Sequence, residues 1–173
     1  MMLKDELDGW PAVVGKDGNS DSLTDARLST YWSVRKILRG STPLLEPSLI
    51  GAAYARGDQR KYMVLCKSCN YPQEIKQEHI NKESGLIGGF RWDTGDDGEV
   101  ILESVRYCCM ECGHSHYEVD KEQLFSEEQG AHWKPTAKPK EPNIRSYHLP
   151  SWYSPYDFRP WYKGIVDYLV VRS

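Results

Sequence analysis

Two Cys-x-x-Cys pairs, Cys66-Lys67-Ser68-Cys69 and Cys109-Met110-Glu111-Cys112, are the residues whose type and spacing most directly specify chemistry. A tetrahedral zinc ion takes four soft ligands, and two residues between thiolates let one tight knuckle deliver both sulfurs to the same ion. Two such knuckles about forty residues apart, with Gly113 directly after the second, give the outline of a zinc ribbon. A thioredoxin-like redox pair would open a helix, whereas Cys66 and Cys69 follow a strand-like run and precede Asn70-Tyr71-Pro72. A disulfide framework fits poorly with five cysteines and no signal peptide. The fifth, Cys108, offers an alternative register, but Cys109 keeps the two-residue spacing. The expected metal ligands are therefore Cys66, Cys69, Cys109 and Cys112.

Strands must hold these knuckles. Tyr62, Val64 and Leu65 before the first pair, and Val105 and Tyr107 before the second, alternate as half-buried strands do, so each knuckle is expected to close a β-hairpin. Between them, Gly85, Gly88-Gly89 and Asp93-Thr94-Gly95-Asp96-Asp97-Gly98 mark turns between short strands. The last cluster lacks the alternating oxygen ligands and closing glutamate of a calcium loop and reads as a solvated hairpin tip. Upstream, Met1 to Trp10 reads as the end of a short strand running into Asp5-Glu6. Asn19 to Asp21 supply caps for a helix over about 21–33, and Val34 to Leu38 read as a strand. Gly40-Ser41-Thr42-Pro43 breaks that strand, and a second helix is expected from Ser48 to about Ala55. Downstream, Asp120 and Gln123 resemble a capping box for a helix over about 121–129, stopped by Gly130. Lys134 to Pro142 reads as a linker and Ser146 to Tyr153 as extended. Pro160 opens a final amphipathic helix carrying Trp161, Ile165, Tyr168, Leu169 and Arg172.

The 173 residues carry a formal net charge of −3, so no global attraction to nucleic acid follows, although clustered lysines and arginines can still form a local basic face. No apolar run approaches membrane-spanning length, and Lys4, Asp5 and Glu6 replace an apolar signal core near the start. Membrane and secretory roles are disfavoured.

Segments in fixed order add a more specific signal: Leu3-Lys4-Asp5-Glu6-Leu7-Asp8, then Gly40-Ser41-Thr42-Pro43, then the cysteine pairs followed by Gly130-Ala131-His132-Trp133 and Ser146-Tyr147-His148-Leu149. Together they resemble the gpA-type large terminase subunit of tailed bacteriophages, over nearly the whole chain from Asp5 to about Tyr168. The resemblance implies an α/β fold in which a partial P-loop (ASCE-type) ATPase core carries an inserted β-rich zinc ribbon. It implies that Asp5 and Glu6 form the Walker B motif, the first orienting Mg2+ and the second activating the attacking water, and that Ser41 and Thr42 lie in the coupling motif. Read bare, the same residues are a solvated acidic turn and a strand-ending turn, and Arg27 and Arg35 are exposed arginines rather than phosphate or DNA contacts. The implied cofactors are structural Zn2+, with Mg2+ and ATP in the intact motor. The implied partners are double-stranded DNA, the terminase small subunit, the portal protein and further copies of the motor subunit, in the host cytoplasm.

The departures from that family shape the expectation. No Gly-x-x-x-x-Gly-Lys-Ser/Thr loop occurs, and Lys4 stands where an apolar strand residue ordinarily precedes the Walker B aspartate. There is also no room for a carboxylate-rich nuclease domain. The expectation is a fragment, a truncated gene of a prophage remnant, or one piece of a split terminase, inactive as an ATPase by itself. Residues 1–60 would supply the later part of the ATPase core, 61–133 the zinc-ribbon insertion with a trailing helix, and 134–173 a linker, returning strand and helix of the motor domain. The competing class is a stand-alone zinc-ribbon module without catalysis, contacting nucleic acid or protein through Arg91, Trp92, Arg106 and neighbouring aromatics.

Overall fold

The computed structural model describes all residues except 12, 17, 45, 46, 81, 84 and 173. Two units result, one of residues 1–59 with 137–146 and the other of residues 60–136 with 147–173.

In the first unit β1 (Met2–Lys4) pairs in parallel with β2 (Ile37–Arg39), with Leu3 opposite Leu38 and Lys4 opposite Arg39. Parallel neighbours require a crossover, and the intervening chain contains α1 (Ser20–Ala26), capped by Asn19, whose Oδ1 accepts from the N–H groups of Asp21 and Ser22. The helix is shorter than the sequence spacing suggests. After Ala26 the chain tightens into a 3-10 turn at Ser29–Tyr31, where Tyr31 and Trp32 lie exposed and offer no buried face to prolong the helix. The strand that follows begins at Ile37, not Val34. Next, α2 (Leu49–Arg56) starts on Ser48, whose Oγ accepts from Gly51 N–H at 2.9 Å. The stretch that reads as a linker is anchored beyond α2: Ala137 and Lys140 donate to the carbonyls of Asp58 and Arg56. Buried Ser146 donates its N–H to Asp58 Oδ1 and its hydroxyl to Tyr54 O, and accepts from Gln59 N–H.

The second unit holds two sheets. In one, β3 (Arg60–Leu65) is the central strand, antiparallel to β4 (Pro72–Glu74) and to β9 (His132–Lys134) and parallel to β10 (Tyr147–His148). In the other, β5 (Glu78–Ile80), β6 (Ile87–Arg91), β7 (Arg106–Cys108) and β8 (Ser115–Tyr117) form an antiparallel meander. Val64, Ile75, Phe90, Tyr107, Leu124, Trp161 and Ile165 share one core. The Phe90 ring meets those of Tyr107 and Trp161 edge-on at 5.2 and 5.3 Å. Tyr153 ties this core to the backbone, its hydroxyl accepting from Ile75 N–H and donating to Tyr62 O.

The helix expected over 121–129 is broken. Only α3 (Lys121–Leu124) is α-helical, between 3-10 turns at Glu118–Asp120 and Glu127–Gln129. Ser126 restarts the chain by accepting from Gln129 N–H, and Gly130, at φ 89°, ends the second turn. Asp120 does not cap α3; its carboxylate accepts from Tyr117 N–H and pairs with Lys67. The final helix, α4 (Trp161–Arg172), buries Trp161 and Ile165 as its spacing suggests.

Candidate metal centre and acidic turn

The first knuckle lies in the β3–β4 turn and the second in the β7–β8 turn, and their backbones repeat. Cys66 N–H donates to Tyr71 O and Asn70 N–H to Cys66 O; Cys109 N–H donates to His114 O and Gly113 N–H to Cys109 O. Asn70 at φ 57° and Gly113 at φ 73° occupy the same left-handed position four residues after the first cysteine of each pair. Gln73 links the hairpins, its Oε1 accepting from Met110 N–H at 3.2 Å. Lys67, inside the first knuckle, is held by Asp120 and Gln123 at 2.8 and 2.7 Å.

The sulfurs of Cys66, Cys69, Cys109 and Cys112 all lie within 4.8 Å of one another. Two cross-knuckle separations are 3.7 Å (Cys66 to Cys112) and 3.8 Å (Cys69 to Cys109). A tetrahedron with metal–sulfur bonds of about 2.3 Å has edges of about 3.8 Å. The cluster can therefore hold one metal ion with little rearrangement. Cys108 is outside it, its Sγ 3.7 Å from Ser115 Oγ. Burial pushes the Cys66 thiol up to about 12 and raises Cys69. At Cys112 burial opposes ionisation, but the His114 N–H and the neighbouring thiols outweigh it and lower the group. A cation bound among these thiols would displace their protons and offset the charge of the thiolates.

In the first unit the predicted site residues sit at the ends of the two parallel strands. Asp5 and Glu6 follow β1 and are exposed; Asp5 Oδ1 accepts from Glu6 N–H at 3.1 Å. Glu6 is left-handed at φ 50°, an unusual position for a residue with a side chain. Gly40 follows β2, donating to Lys4 O at 2.9 Å and accepting from Leu7 N–H at 3.2 Å. A side chain on Gly40 would place its Cβ 3.8 Å from Asp5 Oδ1. Ser41 is half-buried and its Oγ accepts from Asp8 N–H at 3.0 Å, whereas Thr42 is exposed. Thus the residues flanking the acidic pair, Lys4, Leu7 and Asp8, are hydrogen-bonded to Gly40 and Ser41, distant in sequence.

Lys4, the residue out of place in the sequence pattern, is fully buried because it has partners. Its ammonium reaches Asp21 and Asp25 on α1, and Arg39 from the paired strand reaches the same two carboxylates. Burial alone would raise the Asp21 carboxyl, yet the hydrogen bonds from Lys4 and Arg39 hold it below the usual range. Periodicity could not reveal this cluster, since its four charges come from three elements.

The arginines considered for nucleic acid are occupied internally. Arg91 donates to the carbonyls of Phe90, Ile87 and Gly88, Arg106 to Ser104 O and Asp93, and Trp92 packs against the core. Arg27 and Arg35 are exposed.

A family model, the ATPase domain of the phage terminase large subunit gpA, matches residues 1–133. The chain belongs to that family. The matched span takes in the acidic turn, the Gly-Ser-Thr segment and both knuckles. No curated protein and no solved structure matches the chain. Family membership supports a role in phage DNA packaging with ATP, Mg2+ and DNA as general requirements. None of the helices among the described residues is long and apolar enough to cross a membrane.

Proposed function

We propose that this chain supplies the Walker B acids, the coupling motif and a structural zinc ribbon to an ATP-driven DNA-packaging motor. The observation that carries the reading is the pairing of strand ends, with Asp5-Glu6 beside Gly40-Ser41-Thr42 through the Gly40–Lys4, Leu7–Gly40 and Asp8–Ser41 hydrogen bonds. In a P-loop motor the two segments must adjoin, because one acts on the attacking water and the other responds to the γ-phosphate. Neither Asp5 nor Glu6 has a cationic side-chain partner among the described residues, which leaves both carboxylates available for ligand chemistry.

In this reading Asp5 orients the metal ion and Glu6 positions and activates water. Magnesium, when bound, neutralises charge on the transferred phosphate. Thr42, exposed three residues beyond β2, relays the phosphate state. The phosphate cradle comes from chain outside these residues, since the sequence contains no Walker A loop. The sheet supports this: parallel sheets are ordinarily covered on both faces, yet Leu3 and Leu38, side by side on one face, are 63% and 59% exposed. Further strands and helices of the motor would cover them. Cys66, Cys69, Cys109 and Cys112 hold zinc, which fixes the two hairpins around it and takes no part in hydrolysis. The motor works in the host cytoplasm with the small subunit, the portal, DNA and other motor subunits.

The test is hydrolysis by the intact motor carrying these residues. Glu6→Gln is expected to cut hydrolysis at least about a hundredfold while sparing nucleotide affinity, and Thr42→Val to retain hydrolysis while uncoupling it from DNA movement. Parental hydrolysis by Glu6→Gln would remove the Walker B assignment.

A further inference from the structure

Asp8, three residues past Asp5, has no role in the reading above, yet each of its carboxylate oxygens is held by a backbone donor. Its Oδ1 accepts from Ile50 N–H at 2.7 Å and its Oδ2 from Leu44 N–H at 3.1 Å, while its own N–H donates to Ser41 Oγ at 3.0 Å. The Ser48 hydroxyl and the Leu49 N–H also turn toward it. The carboxylate therefore sits on the N-terminal turn of α2, where free N–H groups and the helix dipole favour a negative charge. Both oxygens are committed to backbone donors, so Asp8 is not a third acid of the metal-binding turn.

These bonds close a ring. From the acidic turn the chain passes through Leu7 to Asp8, and Asp8 holds both ends of the segment that leads from the coupling motif into α2. Buried Leu7 and its N–H bond to Gly40 O fix one side of that ring. Without the Asp8 carboxylate, a shift of the acidic turn would lose its hydrogen bonds to exposed Leu44 and to the first turn of α2. With it, the shift is carried to Ile50 and the helix.

We propose that Asp8 is a positioning residue that couples the Asp5-Glu6 turn to α2, so that a change at the nucleotide site reaches the helix as a displacement. The proposal rests on the Walker B reading, and its test has two arms that fail separately. In this chain, amide hydrogen exchange of Asp8→Asn and Asp8→Ala is expected to be at least about tenfold faster at Leu44 and Ile50 and unchanged at Gly40. In the intact motor, Asp8→Asn is expected to keep single-turnover hydrolysis within about threefold of the parent while DNA moved per ATP falls about tenfold. A merely structural role would lower nucleotide binding, hydrolysis and packaging together, which would overturn the proposal. Unchanged exchange at Ile50, unchanged DNA movement per ATP, or lost hydrolysis with weakened metal dependence would each overturn it too. Failure of the Walker B reading would show separately, as full hydrolysis by Glu6→Gln.

Discussion

Removing the proposed zinc ion is the most decisive perturbation. The sulfur separations of 3.7 and 3.8 Å are already those of a zinc tetrahedron, so binding needs little reorganisation and its free energy passes into the fold of the second unit. An ion that binds the folded state alone, at a free concentration one hundred times its dissociation constant, stabilises by about 2.7 kcal/mol. For a unit of about 100 residues that raises the melting temperature by roughly 10–20 °C. The assay is elemental analysis of the purified chain together with melts in zinc and in chelator. One zinc per chain and a drop of this size on chelation are expected. Cys69→Ser should lose the ion and most of the shift, whereas Cys108→Ser should keep both. Acid should weaken binding, because the thiols, with Cys66 pushed up to about 12 by burial, must release protons to the solvent as the metal binds. A folded sample with almost no metal, a melt indifferent to chelator, or full zinc in Cys69→Ser would refute the four-thiolate centre.

Two other predictions concern stability. Lys4→Met leaves Asp21 and Asp25 with Arg39 alone and should cost about 2 kcal/mol, less than for a fully buried pair because both carboxylates keep some solvent contact. Since Asp21 titrates below its ordinary value, its contribution is present above about pH 4 and lost as pH falls through the lowered folded value; denaturant titrations across that range should show a shallower acid slope in Lys4→Met. Gly89→Ala should cost at least about 2 kcal/mol in thermal melts, because φ is +105° and the new Cβ would fall 2.4 Å from Gln77 O and 2.7 Å from Glu78 Cα, both backbone atoms.

What the sequence made legible was local or stoichiometric. The knuckles could be read because two residues between thiolates is a geometric requirement, and the hairpins around them because Val64, Val105 and Tyr107 alternate with outward residues. The helix expected from Ser48 begins at Leu49 with Ser48 as its cap, and α4 follows Pro160 with the expected spacing of Trp161 and Ile165. Long-range partners could not be read. The parallel pairing of β10 with β3 joins Tyr147 to Arg60 across much of the chain, and the anchoring of Ser146 on Asp58 depends on it being near Gly57 and Gln59 in space. Helix lengths failed where burial decides them: exposed Tyr31 and Trp32 gave α1 nothing to pack, and Ser126 with Gly130 cut the helix after Leu124. Asp8 was one acid among several in a short acidic run, and only the fold distinguishes it from Asp5.

The distinction between these acids is the physical content of the turn. Asp5 and Glu6 are exposed, and Glu6 adopts a backbone conformation that is costly for a residue with a side chain. Such a conformation persists when its surroundings over-determine it. Here Lys4 is pinned below by two carboxylates, Leu7 is buried and bonded to Gly40, Gly9 N–H donates to Glu6 O, and the Trp10 indole donates to Asp5 O. Asp8 closes the far side on α2. The backbone of the acidic turn is thus held mainly by other groups, with Asp5 Oδ1 adding a bond from Glu6 N–H, and both acidic residues remain exposed. In the proposed motor this division of labour lets the two carboxylates meet phosphate chemistry without reorganising the turn, while Asp8 carries any movement of that turn into the helix.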